Sequence, residues 1–227
     1  MSVYTHSYLG MGLMAARKEI LTHGMNLDNV NPKDAIEVRS ECVNPIVSTE
    51  WNYGGFNYLV KGPVNGTHKL VKTQNFAGGE VDRPIVNFSE CLKIIEKYVG
   101  RIKNKPEGLK DHEIYAFSYY FDRATEVNFQ SNIYIYINIK NFIKIANSFN
   151  QLIFQVGLVD PFFGGVIQAS AFLKQAMDAC DYPNTDQPFI CLDLTFIYIL
   201  LRDGFGLEPT TKLYVRVYFY FILFKKI

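Results

Sequence analysis

The sequence lacks the features of a membrane protein or a nucleic-acid-binding protein. No apolar run in its 227 residues reaches the ~18 residues that a membrane span needs, so we expect no span in this chain. Neither a basic segment nor a leader-like apolar stretch follows Met1, so we expect no targeting signal in it. The 23 basic and 22 acidic residues balance, which argues against nucleic acid as a partner. The apolar content of 48% is typical of a globular protein, and the length predicts one domain.

Residues for metal or nucleophilic chemistry are also scarce. The four histidines are scattered, with no i, i+4 pair and none beside a pair of cysteines, so we predict no metal site. The patterns GxxxxGKS/T, GxSxG and HExxH do not occur, and we predict no catalytic residue in this chain. Gly10, Gly12 and Ala15 fit the GxGxxA pattern of dinucleotide-binding proteins, but no acidic residue on a second strand follows at the required spacing. We expect the glycines to permit close helix packing, and a dinucleotide-dependent oxidoreductase remains an alternative.

Two segments differ in composition from the rest. Phe, Tyr, Ile, Asn and Lys occupy 21 of the 29 positions in residues 127–155 and 10 of the 15 positions in residues 213–227. Because A/T-rich codons specify these amino acids, we favour the hypothesis that both segments are translated intron. The alternative is that both are structural, the first an exposed aromatic edge strand and the second a buried final strand or helix.

Hydrophobic periodicity predicts a mixed α/β fold. Apolar residues at helical spacing predict helices near 10–24, 87–100, 169–180 and 194–201. Ser89 is the expected N-cap of the second helix, and Gly100 is its expected stop. Short alternating or β-rich segments predict strands at 56–61, 69–73 and 113–118, and the polar segment 27–34 is expected to be a loop.

The cysteines allow three pairings. They are Cys42, Cys91, Cys180 and Cys191. Asn65 and Asn87 each begin an N-glycosylation sequon, and such sites are typical of proteins that fold in an oxidising compartment. This context favours disulfides over reduced thiols. Cys180 and Cys191 also flank a short loop that contains a proline, a suitable length for a bridge.

Residues 115–124 read Tyr-Ala-Phe-Ser-Tyr-Tyr-Phe-Asp-Arg-Ala. We interpret them as the end of a strand that passes into an aromatic loop with an Asp122–Arg123 pair. Taken alone, such a segment is more typical of core packing beside a surface ion pair than of a ligand platform.

Three separated segments together resemble one enzyme family. They are VYTHSYLGMGLMAAR at 3–17, the aromatic segment at 115–124, and PFICLDLT at 188–195 followed by LLRDGFG at 200–206. In this order they resemble the apyrase family of ectonucleoside triphosphate diphosphohydrolases, and most of all its soluble or lumenal nucleoside diphosphatases, types five and six. The resemblance implies an α/β fold, the incomplete C-terminal lobe of a two-lobed, actin-like (ribonuclease H-like) enzyme. Residues 1–212 would form that lobe, with 127–155 as an insert and 213–227 as a non-family tail.

The resemblance also implies a reaction. Family members hydrolyse nucleoside di- or triphosphates to monophosphate and phosphate with Ca²⁺ or Mg²⁺ bound between the lobes. The family's two phosphate loops, its catalytic glutamate motif and its Asp-Leu-Gly-Gly loop do not occur in these residues. We therefore expect a fragment of a nucleoside diphosphatase that is inactive alone. The alternative is a non-catalytic nucleotide-binding or interaction module.

By resemblance, this lobe binds the nucleobase between aromatic side chains. Tyr120 or Phe121 would stack on one side of the base and Phe189 on the other, with UDP or GDP as the expected ligand. Ile190 stands where the cell-surface branch has an aromatic residue. The resemblance further implies disulfides that join Cys42 to Cys91 and Cys180 to Cys191, and a location in the secretory pathway, either lumenal or secreted.

Overall fold

A computed structural model of the chain describes residues 6–27, 34–64, 69–74, 77–126 and 158–217. Its α-helices are α1 Leu13–Leu21, α2 Phe88–Val99, α3 Tyr119–Glu126, α4 Ala169–Asp181 and α5 Ile190–Ile199, and a short 3-10 helix spans Leu109–Asp111. A π-helical turn at Leu200–Gly204 continues α5. The strands are β1 Ala35–Arg39, β2 Ser48–Tyr53, β3 Phe56–Lys61, β4 Lys69–Gln74, β5 Glu80–Ile85, β6 Ile114–Ala116, β7 Gly165–Gln168 and β8 Lys212–Val215. The fold is mixed α/β, as predicted.

The chain forms two compact units where we expected one domain. Unit 1 comprises Met1–Pro106 and Leu173–Gly206, and unit 2 comprises Glu107–Phe172 and Leu207–Ile227. The chain leaves unit 1 after Pro106 and returns to it at Leu173, and each unit has a three-stranded sheet of its own. The domain organisation of the chain remains a prediction.

The core of unit 1 lies around a three-stranded sheet and helix α5. Strand β3 is central, parallel to β1 and antiparallel to β2, while β4 and β5 form a separate antiparallel ladder. On β3, Tyr58 and Val60 are buried in the alternation expected of a strand. Every residue of α5 is buried, which explains why its apolar residues extend around the whole helix.

Helix α2 shows how a periodic sequence forms one of these elements. Its buried residues are Cys91, Ile95, Tyr98 and Val99, which lie on one face of the helix. Asn87 occupies the N-cap position, so the prediction of Ser89 as the cap was wrong. The Ser89 hydroxyl instead donates a hydrogen bond of 2.9 Å to Oδ1 of Asn87.

The core of unit 2 lies around a second three-stranded sheet. Strand β8 is central, parallel to β6 and antiparallel to β7. Leu213 and Val215 are fully buried, so the segment predicted to be a non-family tail begins inside this sheet. Residues 218–227 of that segment lie outside the described residues, as does the whole of 127–155. At Gly164 the backbone has φ +72°, and an added Cβ would lie 2.0 Å from the carbonyl oxygen of Val215, so glycine is required there.

Helix α3 replaces the aromatic loop predicted after β6. The amide N–H groups of Phe121 and Asp122 both donate to the carbonyl of Ser118, and Asp122 is in the first turn, where a carboxylate favours a helix N-terminus. The loop prediction was wrong because it treated the run of aromatic residues as irregular structure. Near the other end of α3, the N–H of Leu158 donates to the carbonyl oxygen of Ala124 at 2.7 Å. The chain therefore returns to α3 directly after residues 127–157.

Candidate functional site

Helix α3 presents two of the residues that we predicted to stack on a base. Tyr120 and Phe121 are half-buried, and the Tyr120 ring stacks on Tyr119 with centroids 4.3 Å apart. Burial raises the pKa of Tyr120 well above its ordinary value, and the neighbouring Tyr119 adds to the increase. Burial also raises the pKa of Tyr119. Both phenols are therefore protonated at neutral pH and can act as neutral stacking surfaces and hydrogen-bond donors.

The third predicted residue, Phe189, lies in unit 1 as the N-cap of α5. Its ring is 8% exposed and already has two partners. The Arg17 guanidinium carbon lies 4.6 Å from the ring centroid, and the Trp51 ring packs edge-on at 5.8 Å. Tyr120 and Phe121 lie in unit 2, and the joint role of the three rings in base stacking remains a prediction.

A buried ion pair beside Phe189 was missed at the sequence level. Arg17 of α1 donates to Asp193 of α5 through Nε at 3.0 Å and Nη2 at 2.5 Å, with side chains 8% and 1% exposed. Because Asp193 follows Phe189 by about one turn, Arg17 contacts both the carboxylate and the ring. A bidentate pair of this kind fixes the guanidinium plane. The signal in the sequence was one carboxylate within an apolar helix, which requires a buried cationic partner.

An aromatic ladder on the β2–β3 hairpin was also missed. Gly54 and Gly55 have φ of +61° and +83°, as a two-residue hairpin turn requires. The register pairs Trp51 with Tyr58 and Tyr53 with Phe56, so all four rings lie on one face. Trp51 stacks on Tyr53 with centroids 5.4 Å apart. The sequence signal for this hairpin was a pair of glycines with aromatic residues at alternate positions on either side.

The structure contains both disulfides that the resemblance implied. Cys42 is joined to Cys91, and Cys180 is joined to Cys191. Asn87 is half-buried at the N-cap of α2, and Asn65 lies outside the described residues. Glycosylation at both positions remains a prediction.

The described residues were also searched for metal and membrane features. Among them, no group of three or more His, Cys, Asp or Glu side chains is arranged to hold a metal ion. Within the same ranges, no helix combines the length and apolar character that crossing a bilayer requires.

Gly10 and Gly12 of the GxGxxA pattern differ in backbone conformation and in the space around them. Gly10 has φ +81°, and an added Cβ would lie 3.3 Å from the Tyr98 hydroxyl, whereas an added Cβ at Gly12 would meet no atom within 4 Å. Close packing therefore explains Gly10 in part but does not explain Gly12, where that expectation was wrong. Gly12 instead occupies the N-cap of α1, a position at which glycine is well tolerated.

Comparison with known proteins identifies the family. The model of the GDA1/CD39 (nucleoside phosphatase) family matches residues 1–218. The chain belongs to that family. The match extends into the segment 213–227, consistent with the position of β8 inside the sheet.

Several curated proteins are similar to this member of the GDA1/CD39 family over 93% of its length. Ectonucleoside triphosphate diphosphohydrolase 5 of Gallus gallus is 29% identical and is covered over 38% of its own length. Nucleoside diphosphate phosphatase ENTPD5 of Homo sapiens is 28% identical with 38% covered, and nucleoside-diphosphatase uda-1 of Caenorhabditis elegans is 30% identical with 35% covered. The chain thus spans a little over a third of the length of the curated relatives that it matches.

Proposed function

We propose that this chain is part of a nucleoside diphosphate phosphatase that releases phosphate from nucleoside di- or triphosphates. The observation that carries the proposal is the family match over residues 1–218, together with relatives whose names describe nucleoside diphosphatases. The proposed architecture is an actin-like enzyme of two lobes, with this chain in the C-terminal lobe. The two disulfides support folding in the secretory pathway.

The proposed contribution of this chain is to bind the nucleobase of UDP or GDP. Tyr120 or Phe121 stacks on one face of the base and Phe189 contacts the other. The half-buried rings of Tyr120 and Phe121 offer more surface than Phe189, of which 8% is exposed. Stacking contributes about 1–3 kcal/mol per base. A contact that is equal in the ground state and the transition state improves binding without raising kcat.

The groups that accelerate phosphoryl transfer belong to other parts of the proposed enzyme. Those groups surround the phosphate and a divalent cation, Ca²⁺ or Mg²⁺ in the family. The described residues do not fit a cation site, since no group of three or more His, Cys, Asp or Glu among them can hold a metal. We therefore derive no catalytic step from this chain.

The test compares hydrolysis with binding. The 227-residue chain should release no phosphate above background from UDP, GDP or ATP with either cation, yet it should bind UDP. Tyr120→Ala should weaken that binding about tenfold, whereas Phe162→Ala should leave it unchanged, because Phe162 is 78% exposed and lies outside helix α3, on a loop of unit 2. Phosphate release by this chain that Tyr120→Ala abolishes would contradict the proposal. Binding without hydrolysis in a version that also carries the family's catalytic loops would instead favour a non-catalytic nucleotide-binding module.

A further inference from the structure

Unit 1 also contains a concave site. It is a cleft of about 740 Å³ between the segment before α1, the tip of the β2–β3 hairpin and the chain that follows α2. A volume of this size is typical of sites for small organic molecules. Tyr120, Phe121 and Phe189 do not line it.

Aromatic rings form the floor and one wall of the cleft. Tyr58 and Tyr98, which are 2% and 5% exposed, lie at the floor. Tyr53 and Phe56 line the wall, and both are half-exposed because they flank the hairpin turn at the open end of the aromatic ladder. The wall therefore offers ring surface that no core residue covers completely, as a flat ligand requires.

Basic residues predominate at the rim. Lys18, Arg101 and Lys103 line the cleft, and Glu19 is the one acidic side chain that lines it. Glu19 accepts a hydrogen bond of 2.6 Å from Lys18 and lies 3.7 Å from Arg101. The lining thus contains three cations and one carboxylate, which gives a net of two positive charges at the rim.

From this geometry we propose that the cleft binds a small aromatic anion, such as a nucleoside monophosphate. Its flat ring packs against Tyr53 and Phe56, and its anionic group pairs with Arg101 and Lys103. A guanidinium forms paired hydrogen bonds to phosphate or carboxylate oxygens, so a phosphate monoester and an aromatic carboxylate share the required chemistry. The proposal is independent of the proposed function, because it uses other residues and needs no catalysis.

The fluorescence of Trp51 can report ligand binding in the cleft. It is the one tryptophan in the chain, and its ring stacks on Tyr53, a residue of the cleft wall. A ligand that packs on Tyr53 should change the emission of Trp51 saturably. We would titrate the full chain with UMP, 3-phenylpropionate, uridine and inorganic phosphate. UMP should bind at least tenfold more tightly than uridine or phosphate, since each of these lacks one half of the required chemistry, and 3-phenylpropionate distinguishes a carboxylate from a phosphate ligand.

Matched variants test the location of the site. Arg101→Gln with Lys103→Gln should weaken UMP binding at least tenfold. Lys93→Gln with Lys97→Gln removes the same charge from α2 outside the cleft lining and should change the affinity less than twofold. Equal losses in the two double variants, or no loss in the first, would overturn the proposal. Because Trp51 also contacts Phe189, Tyr120→Ala tests the base site separately: loss of UMP binding in that variant alone would reject the cleft while supporting the base site. Circular dichroism of each variant checks that the fold is retained.

Discussion

Unit 1 contains all four cysteines, paired in two disulfides, and the buried Arg17–Asp193 ion pair. Unit 2 contains no cysteine in its sequence, and its core depends on a short three-stranded sheet and the aromatic helix α3. The stability of unit 1 therefore rests partly on a few contacts that can be removed singly. The stability of unit 2 is distributed over backbone pairing and ring packing.

The largest effect is expected at the buried ion pair of unit 1. Asp193→Ala should lower the free energy of unfolding by about 3–5 kcal/mol, because it leaves the Arg17 guanidinium buried without its carboxylate. Urea unfolding followed by Trp51 fluorescence measures this loss in unit 1. Arg17→Met combined with Asp193→Leu should recover most of it, since an apolar pair replaces the charges. A single variant as stable as the parent would show that the pair is not needed.

Removal of the disulfides should produce the next largest effects, graded by loop length. The Cys42–Cys91 bridge spans 49 residues and the Cys180–Cys191 bridge spans 11. The chain-entropy model gives losses of about 4 kcal/mol for Cys42→Ala with Cys91→Ala and a little under 3 kcal/mol for Cys180→Ala with Cys191→Ala. The same fluorescence measurement ranks them. A larger loss from the shorter bridge would show that loop entropy does not explain their contribution.

In unit 2 we expect sensitivity to alkali. Burial raises the pKa of both Tyr119 and Tyr120. A tyrosine whose pKa is higher in the folded state binds its proton more tightly there. Its stabilising contribution is complete below its unfolded pKa of about 10 and is lost as the pH rises through the folded pKa. Stability should therefore fall above about pH 10, and Tyr119→Phe with Tyr120→Phe should reduce that fall.

Urea midpoints from circular dichroism, compared below and above this pH, measure the effect. Tyr182→Phe is the control, because Tyr182 is 53% exposed and lies in unit 1. An alkaline loss as large in the Tyr119/Tyr120 variant as in the parent would contradict the assignment.

The smallest effect is expected from deletion of residues 127–155. The described residues on either side of 127–157 already meet through the Leu158–Ala124 hydrogen bond, and loop cost changes by only about 0.6 kcal/mol for each doubling of length. The free energy of unfolding should change by less than about 1 kcal/mol, and the yield of soluble protein should rise, because alternating Ile and Tyr favour aggregation. A Gly/Ser segment of equal length is the matched control. A deletion variant that does not fold would show that 127–155 are structural.

The sequence was most informative where one periodic pattern specified one element. The strand predicted at 56–61 is β3, and three predicted helices agree with α1, α2 and α4 within a few residues. Strand β2 was missed because Trp51 is its one buried residue, so the strand shows no repeated alternation of apolar and polar residues. Strand β8 was missed because most of it lies in the segment 213–227, which we set apart from the family on the basis of its composition. Its sequence does show a strand pattern, since Leu213 and Val215 alternate with Tyr214.

The site was less predictable, because its contacts join distant parts of the chain. Arg17 and Asp193 are 176 positions apart, and nothing local to Arg17 indicates its partner. The cleft of unit 1 likewise combines Tyr53, Phe56 and Arg101 from separate elements. The disulfide pairing followed from the family resemblance together with the short loop between Cys180 and Cys191, since the number of cysteines alone left three alternatives.

The N–H of Leu158 donates to the carbonyl oxygen of Ala124, which places Leu158 at the C-terminal end of helix α3. In a chain without residues 127–155, Leu158 would follow Ala124 by five positions, the 6→1 spacing of a Schellman motif. Ala124 would then be C3, Leu158 would be C″, and Gly157 would stand at C′, where glycine is preferred because the residue is left-handed. Residues 127–155 therefore separate the last turn of α3 from the sequence that would cap it.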